Sequence, residues 1–258
     1  MDSNFATALK KRIQVKLKEL PHGRHAGRKL LFKSIFMVLL FFVPIALIYL
    51  LPITNFLQLL TLYMLSGLGM IGIGMGVMHD ANHGSYWKNK SLNKFFGGII
   101  NVIGASPMAW KIQHNTLHHT FTNIKGYDDD IELPFLMRFS PDSDKYWFHK
   151  FQPYYCWLFY GLSTIWWVIA KDYKNLPIYY KNGYIKEKKV LRNELIKITL
   201  WKLVYFTYIL ALPIVMYPEL WGSIVIAFLL MHFVNGALLS IIFQAAHVLT
   251  SNEFPEQV

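Results

Sequence analysis

The chain has a single cysteine, Cys156, few charges, and two long stretches with no basic residue. One cysteine excludes a disulfide scaffold, a cysteine-based zinc site and an iron–sulfur cluster. Charged residues make up 16% of the 258 and apolar residues 54%, against roughly 25% and 45–50% in soluble domains. That skew, with a mean hydropathy of +0.29, excludes a disordered tail and points to lipid.

Lysine and arginine are absent from 34–87 and from 203–258, and acids are absent from 34–78. A bilayer core about 30 Å thick takes about 20 apolar residues in a helix. The N-terminal region therefore predicts two spans, 31–51 and 56–78, split at Leu51-Pro52-Ile53-Thr54-Asn55. The C-terminal region predicts two more, 197–216 and 220–243, split at Tyr217-Pro218-Glu219.

The charge that is present segregates by topology. Of the 26 basic residues, nine lie between Lys10 and Lys33 and 17 between Lys88 and Lys202, for a net +11. By the positive-inside rule the basic side is cytoplasmic. The expected architecture is an all-α, multi-pass membrane domain over 1–258, made of two helical hairpins with a cytosolic histidine-bearing region between and after them. Both termini would be cytoplasmic, in the inner membrane of a bacterium or the endoplasmic reticulum of a eukaryote. The first apolar run is too long for a removable signal peptide and lacks its small-residue cleavage pattern. A nucleic-acid partner is not expected, because the basic residues form no stripe interleaved with aromatics. Phe95 to Ala109 is uncharged but too short to span, and the aromatic segment Tyr146 to Tyr180 predicts helices at the membrane surface.

Ten histidines occur, and five of them sit in two short motifs. His79-Asp80-Ala81-Asn82-His83 puts two imidazoles four apart on one helix face. His114-Asn115-Thr116-Leu117-His118-His119 repeats that spacing and adds a neighbour. At 100° per residue His118 falls ~40° from His114 and His119 ~140° from it, so one helix would offer a pair to one metal and a single ligand to a second. His79 lies ~35 Å along its helix from Phe56, and a sixth histidine, His247, ~40 Å from Leu220. Both would then emerge at one edge of a ~30 Å core. Isolated surface histidines do not converge in this way. Imidazole suits zinc, copper, iron or nickel, and six exceed what one zinc takes, which favours a dinuclear site. Asp80 stands where a zinc protease would carry glutamate, so a membrane zinc hydrolase fits less well.

Elsewhere Gly67, Gly69, Gly72, Gly74 and Gly76 predict close helix packing through the second span, with a narrow tunnel alongside them as the alternative. His232 and Asn235 fall mid-span, where an interhelical hydrogen bond accounts for them. Asp128 to Asp130 could recruit metal, but a loop leading into Pro134 is the simpler reading.

HDANHGSY at 79–86 and WKIQHNTLHHTFTN at 110–123, lying between two hairpins, resemble the first two histidine boxes of the membrane fatty-acid desaturases. Gly126-Tyr127-Asp128-Asp129-Asp130-Ile131 and Phe243-Gln244-Ala245-Ala246-His247 resemble the acyl-lipid/acyl-CoA branch that includes linoleoyl-CoA-type and front-end enzymes. Alkane and sterol hydroxylases share similar boxes. The resemblance implies a non-haem di-iron centre that uses O₂ and two delivered electrons to leave a cis double bond in a long acyl chain. It implies His79, His83, His114, His118, His119 and His247 as ligands and as the catalytic set, with Gln244 behind a metal-bound water. Asp80, Asn82 and Asn115 would orient imidazoles or sit in solvated loops. The substrate would be an acyl-CoA or acyl-lipid. Because Pro21-His22-Gly23 does not match the haem motif of fused cytochrome b5 domains, the electrons would come from a separate ferredoxin or cytochrome b5. A hydroxylase on the same scaffold is the alternative.

The family also carries a third box, (His/Gln)-x-x-His-His, well downstream of the position of His247, where this sequence has only 11 more residues and no histidine. The expectation is a fragment lacking its C-terminal part, which would hold two metals weakly and turn over little.

Overall fold

The computed structural model describes residues 3–20, 25, 27–129, 135–141, 143–247 and 254. Among them every regular element is helical. Helix α1 (Ser3–Glu19) precedes α2 (Arg28–Leu50), and α3 runs over Phe56–Asn82 with a π-helical stretch at Ile73–Met78. Then come α4 (Lys90–Gly98), α5 (Pro107–Trp110, continued as a π-helix over Lys111–His118), α6 (Gln152–Trp166) and α7 (Asp172–Lys181), the last two joined by a π-helical Trp167–Lys171. Helix α8 is Lys188–Met216 and α9 is Trp221–His247.

Four of these are long and apolar enough to cross a membrane: Leu30–Leu50, Phe56–Asn82, Lys188–Met216 and Pro218–Ala245. The chain is thus an integral membrane protein, and the two hairpins expected from the charge-free stretches are present. The spans end where proline and capping dictate. Pro52 follows α2, and Asn55 then caps α3 by accepting from the Gln58 amide at 3.1 Å. Tyr217, at the other turn, donates to the Leu51 carbonyl at 2.7 Å, so the two hairpin turns sit at one level. Phe32, Leu50, Leu57 and Val215 face outward, each more than two-thirds exposed, as a lipid-facing surface requires. Phe41, Ile48, Leu59, Tyr63, Tyr205, Ile224 and Met231 form the buried centre of the bundle.

Helix–helix association inside lipid rests on close packing and hydrogen bonds, because lipid tails are as apolar as the side chains. The glycines of α3 show this directly. A Cβ on Gly69 would lie 2.3 Å from the Phe41 backbone nitrogen, and one on Gly67 would lie 2.6 Å from Asn235 Oδ1. Gly74 instead faces open space and lines a narrow apolar slot. Gly69→Ala should therefore lower stability by about 1–3 kcal/mol, whereas Gly74→Ala should change it by less than about 1 kcal/mol. Thermal unfolding of the two variants in detergent checks the contrast, and equal melting points would refute it.

Helix α6 does more than lie at the surface, as its aromatic content had suggested. It packs along α9, and at their crossing a Cβ on Gly236 would lie 2.5 Å from the Gly161 carbonyl oxygen. Ser163 donates to the Gly236 carbonyl nearby. The intramembrane His232 is fully buried and joins three helices. Thr164 donates to its carbonyl at 2.7 Å, so the Thr164 hydroxyl accepts from Nδ1–H at 3.1 Å. Nε2 is left to accept from the Tyr205 hydroxyl at 2.7 Å. Every polar atom of that imidazole has its partner.

A second buried polar cluster fixes the start of α5. Lys202, on α8, donates to the carbonyls of Gly104, Trp167 and Val168 at 2.8, 3.0 and 2.8 Å and lies 3.2 Å from Asp172 Oδ2. Asp172 also accepts from the Ser106 amide at 3.3 Å, while the Ser106 hydroxyl donates to Glu194 at 2.6 Å and caps α5 by accepting from Ala109 N–H. Burial pushes the Asp172 carboxyl up, and the adjacent ammonium opposes that shift. The last residue of the C-terminal basic section is thus an interior clamp.

Candidate metal centre

Two helix ends bring the histidine motifs together. His79 and His83 stand one turn apart at the end of α3, with ring centroids 4.5 Å from each other. His114, on α5, is 5.2 Å from each of them. The ligand nitrogens of these three lie within 4.8 Å of one another, close enough to hold a metal ion. No acid or cysteine competes in that set, so a borderline metal such as iron or zinc fits the donors better than magnesium or calcium.

His119 departs from the angle that α-helical spacing predicts. The α5 segment around it is π-helical, and the His119 amide donates to the His114 carbonyl, five residues back. In i→i+5 bonding, residues five apart stand above one another. The His119 ring accordingly sits 4.7 Å from His114 and 5.0 Å from His83, and His118 sits 5.3 Å from His114. All five imidazoles form one continuous cluster, with Trp110 beneath it at 4.7 Å from His114. His83, whose edge meets solvent, has its pKa lowered to about 4 by desolvation and then by the neighbouring His79, His114 and His119. A neutral imidazole is the form that ligates a metal.

The residues around these imidazoles have separate tasks. Asp80 lies 3.0 Å from His79 Nδ1. Asn115 donates to the Asn82 carbonyl at 3.0 Å and so ties the two motifs to each other. Asn82 donates to the Gly97 carbonyl at 3.2 Å, anchoring the end of α3 on α4. Glycine at 97 leaves room for that side chain, since a Cβ there would fall 2.1 Å from Asn82 Oδ1 and force the amide to move. Gln244 lines the same cleft as His114. His247 ends α9, and its side chain lies outside the described residues, as do Asp130 and Pro134.

Sequence reasoning missed Asp128. Its carboxylate is fully buried, 3.0 and 3.1 Å from His118 Nδ1, and it accepts from the Asn123 amide at 2.8 Å. Asn123 adopts a left-handed φ of 62°, which turns its N–H inward. A carboxylate behind a histidine fixes the ring and its tautomer and leaves Nε2 for a metal. The one signal was an acid ten residues after His118, and nothing in the sequence separated it from Asp129, which instead accepts from Tyr179 at 2.6 Å. Asp128→Asn should weaken metal binding by about 10–100-fold while leaving the helices intact. Metal titration with circular dichroism on the same samples checks it, and unchanged affinity would remove the role.

Two cavities meet the cluster. A cleft of about 730 Å³ runs from His114 and Gln244 past Tyr160 and Trp166 to Lys171 and Lys174. The narrow slot lined by His79, Gly74, Met78, Thr164 and Leu239 continues inward and shares Trp110, Trp167 and Phe243 with the cleft.

Comparison with known proteins follows this geometry. Residues 54–257 match the family described as fatty acid desaturase. The chain is 30% identical over 188 residues to an acyl-lipid (8-3)-desaturase of Physcomitrium patens, covering 71% of this chain and 38% of that protein. It is 28% identical over 256 residues to an sn-1 linoleoyl-lipid 6-desaturase of Synechocystis sp., covering 97% of this chain and 69% of that protein. An sn-1 linoleoyl-lipid 6-desaturase of Arthrospira platensis is 39% identical over 104 residues, 40% of this chain and 28% of that protein. The chain therefore spans well under half the length of two of these three curated relatives. No solved structure matches it. A family match over most of the length, in a chain whose histidine motifs meet in space at the ends of its membrane helices, makes this chain a member of the fatty acid desaturase family, a family of oxidoreductases.

Proposed function

We propose that the chain carries the site of a fatty-acyl desaturase that introduces a cis double bond into a long acyl chain. The observation that carries this reading is the convergence of His79, His83 and His114, with His118 and His119 alongside, at the mouth of an apolar slot. Two irons would be held by these five histidines and His247, and when bound they would supply the activation of O₂ and the removal of hydrogens from adjacent methylenes. The chain's own residues do the rest. Asp128 orients the His118 ring through Nδ1, and Asp80 does the same for His79. Gln244 faces the cleft where it can orient a water or the substrate. Trp110 and Phe243 keep water from the junction of cleft and slot. The slot fixes the acyl chain in one register, which is what selects one pair of carbons.

The substrate is an acyl-lipid drawn from the bilayer, in keeping with the names of the relatives, with an acyl-CoA as the alternative. A soluble or membrane-bound donor of the ferredoxin or cytochrome b5 type would dock on the basic, cytoplasmic side. Mass spectrometry of acyl chains after expression in a host of known lipid composition tests the reading. New double bonds that require O₂ are the expected result. Hydroxylated chains without new double bonds would move the reading to a hydroxylase. Activity without O₂ in a zinc-loaded protein would move it to a hydrolase.

A further inference from the structure

Helix α1 has no counterpart in the desaturase site. It is 17 residues long, about 26 Å, and carries Lys10, Lys11, Arg12, Lys16 and Lys18 against one acid, Glu19, which pairs with Lys16 at 2.8 Å. At 100° per residue, Phe5, Leu9, Ile13 and Leu17 step round a sector of about 120°. Phe5, Leu9 and Ile13 are 60%, 45% and 49% exposed, so the protein leaves this stripe largely uncovered. Lys11 and Lys18 occupy the opposite side with Val15, Lys10 and Arg12 stand at the two borders of the stripe, and Lys16 falls within it, its ammonium drawn to Glu19.

We infer that α1 is a surface anchor that lies flat on an anionic leaflet beside the spans, its apolar stripe among the acyl chains and its lysines against lipid phosphates. The stripe requires an apolar partner, which an acidic soluble protein does not supply along its whole length. A second copy of α1 would set five cations against five. A bilayer offers both chemistries at one depth, and Lys10 and Arg12 at the borders, with Lys16 inside the stripe, can bury their stems while their charges reach the headgroups. Continuity with α2 holds the helix there. Residues 20–27 reach at most about 28 Å when extended, so α1 stays within about its own length of the first span. The inference rests on the membrane spans and is independent of the desaturase reading.

The test uses the full chain in lipid nanodiscs, in a Cys156→Ala background, with single nitroxide labels at Phe5→Cys, Leu9→Cys and Ile13→Cys on the stripe and at Lys11→Cys and Lys18→Cys on the basic face. Collision with O₂, which partitions into lipid, is compared with collision with a water-soluble nickel chelate. In discs containing phosphatidylglycerol the stripe labels should favour O₂ and the basic-face labels nickel. The bound-to-free ratio of the helix should fall about fivefold for each of Lys10 and Lys11 changed to Gln, and the contrast should collapse in phosphatidylcholine at high salt. Uniform nickel exposure of all five sites would overturn the proposal. So would stripe labels shielded to the same degree whatever the lipid charge, which would mean packing on the protein. Dipolar broadening between labels of two chains would assign the stripe to a second copy instead.

Discussion

His114→Ala is expected to strip the centre of its metal and to lower acyl desaturation by more than about 100-fold, since even residues standing behind metal ligands cost 10–100-fold when lost. His114 is the hub of the cluster. Its ring lies 5.2 Å from His79 and His83, 5.3 Å from His118 and 4.7 Å from His119, and the side chain is 5% exposed. Removing it breaks the three-nitrogen set and leaves the 5.0 Å approach of His83 and His119 to link the two motifs, and no carboxylate stands among the three closest donors to replace it. Elemental analysis of the purified variant after iron loading reads the first effect, and lipid mass spectrometry reads the second. His149→Ala is the control, because His149 Nε2 donates to the Phe135 carbonyl, away from the cluster. Full iron occupancy in His114→Ala, with the control also full, would remove this histidine from the centre.

Lys202→Met should cost about 3–5 kcal/mol, the usual effect of removing one partner from a buried ion pair. The ammonium satisfies three backbone carbonyls and one carboxylate at once, and it is 5% exposed. Methionine fills the space of the stem but leaves Asp172 charged and buried with the Ser106 amide and the Lys171 charge in place of its closest partner. The loss would spread to α5, because the Gly104–Ser106 turn that caps that helix hangs from Lys202 and Asp172. Denaturant unfolding in detergent measures the cost. Pairing Lys202→Met with Asp172→Asn should recover part of it, since the uncompensated charge is gone. A double variant as unstable as the sum of the singles would show that the two residues do not act as a pair.

Hydropathy and charge were sufficient to place the spans, because a bilayer imposes a length and excludes charge whatever the rest of the chain does. The expected 31–51 and 220–243 correspond to Leu30–Leu50 and Pro218–Ala245. Where helices continue past the bilayer that constraint ends, and the spans expected at 56–78 and 197–216 extend to Phe56–Asn82 and Lys188–Met216. Lys202 was legible only as the end of a basic section. Its role depends on the carbonyls of Trp167 and Val168, 34 to 35 residues earlier in the chain, that a π-helical turn presents to it.

The sequence by itself singled out the candidate ligands, because imidazoles at i and i+4 on a helix are a local matter. His79, His83, His114, His118 and His119 were readable from their spacing alone. How they combine was a tertiary decision. Alpha-helical geometry sends His119 away from His114, and the π-helical stretch of α5 returns it to the same cluster by a hydrogen bond between those two residues. Whether a helix takes that wider turn depends on what it packs against, here the end of α3 held by Asn82, Gly97 and Asn115. Asp128 shows the same division. One acid in a run of three acquires its role only when the loop, turned at Asn123, buries it against His118, and that contact is made by the folded chain and by no local pattern in the sequence.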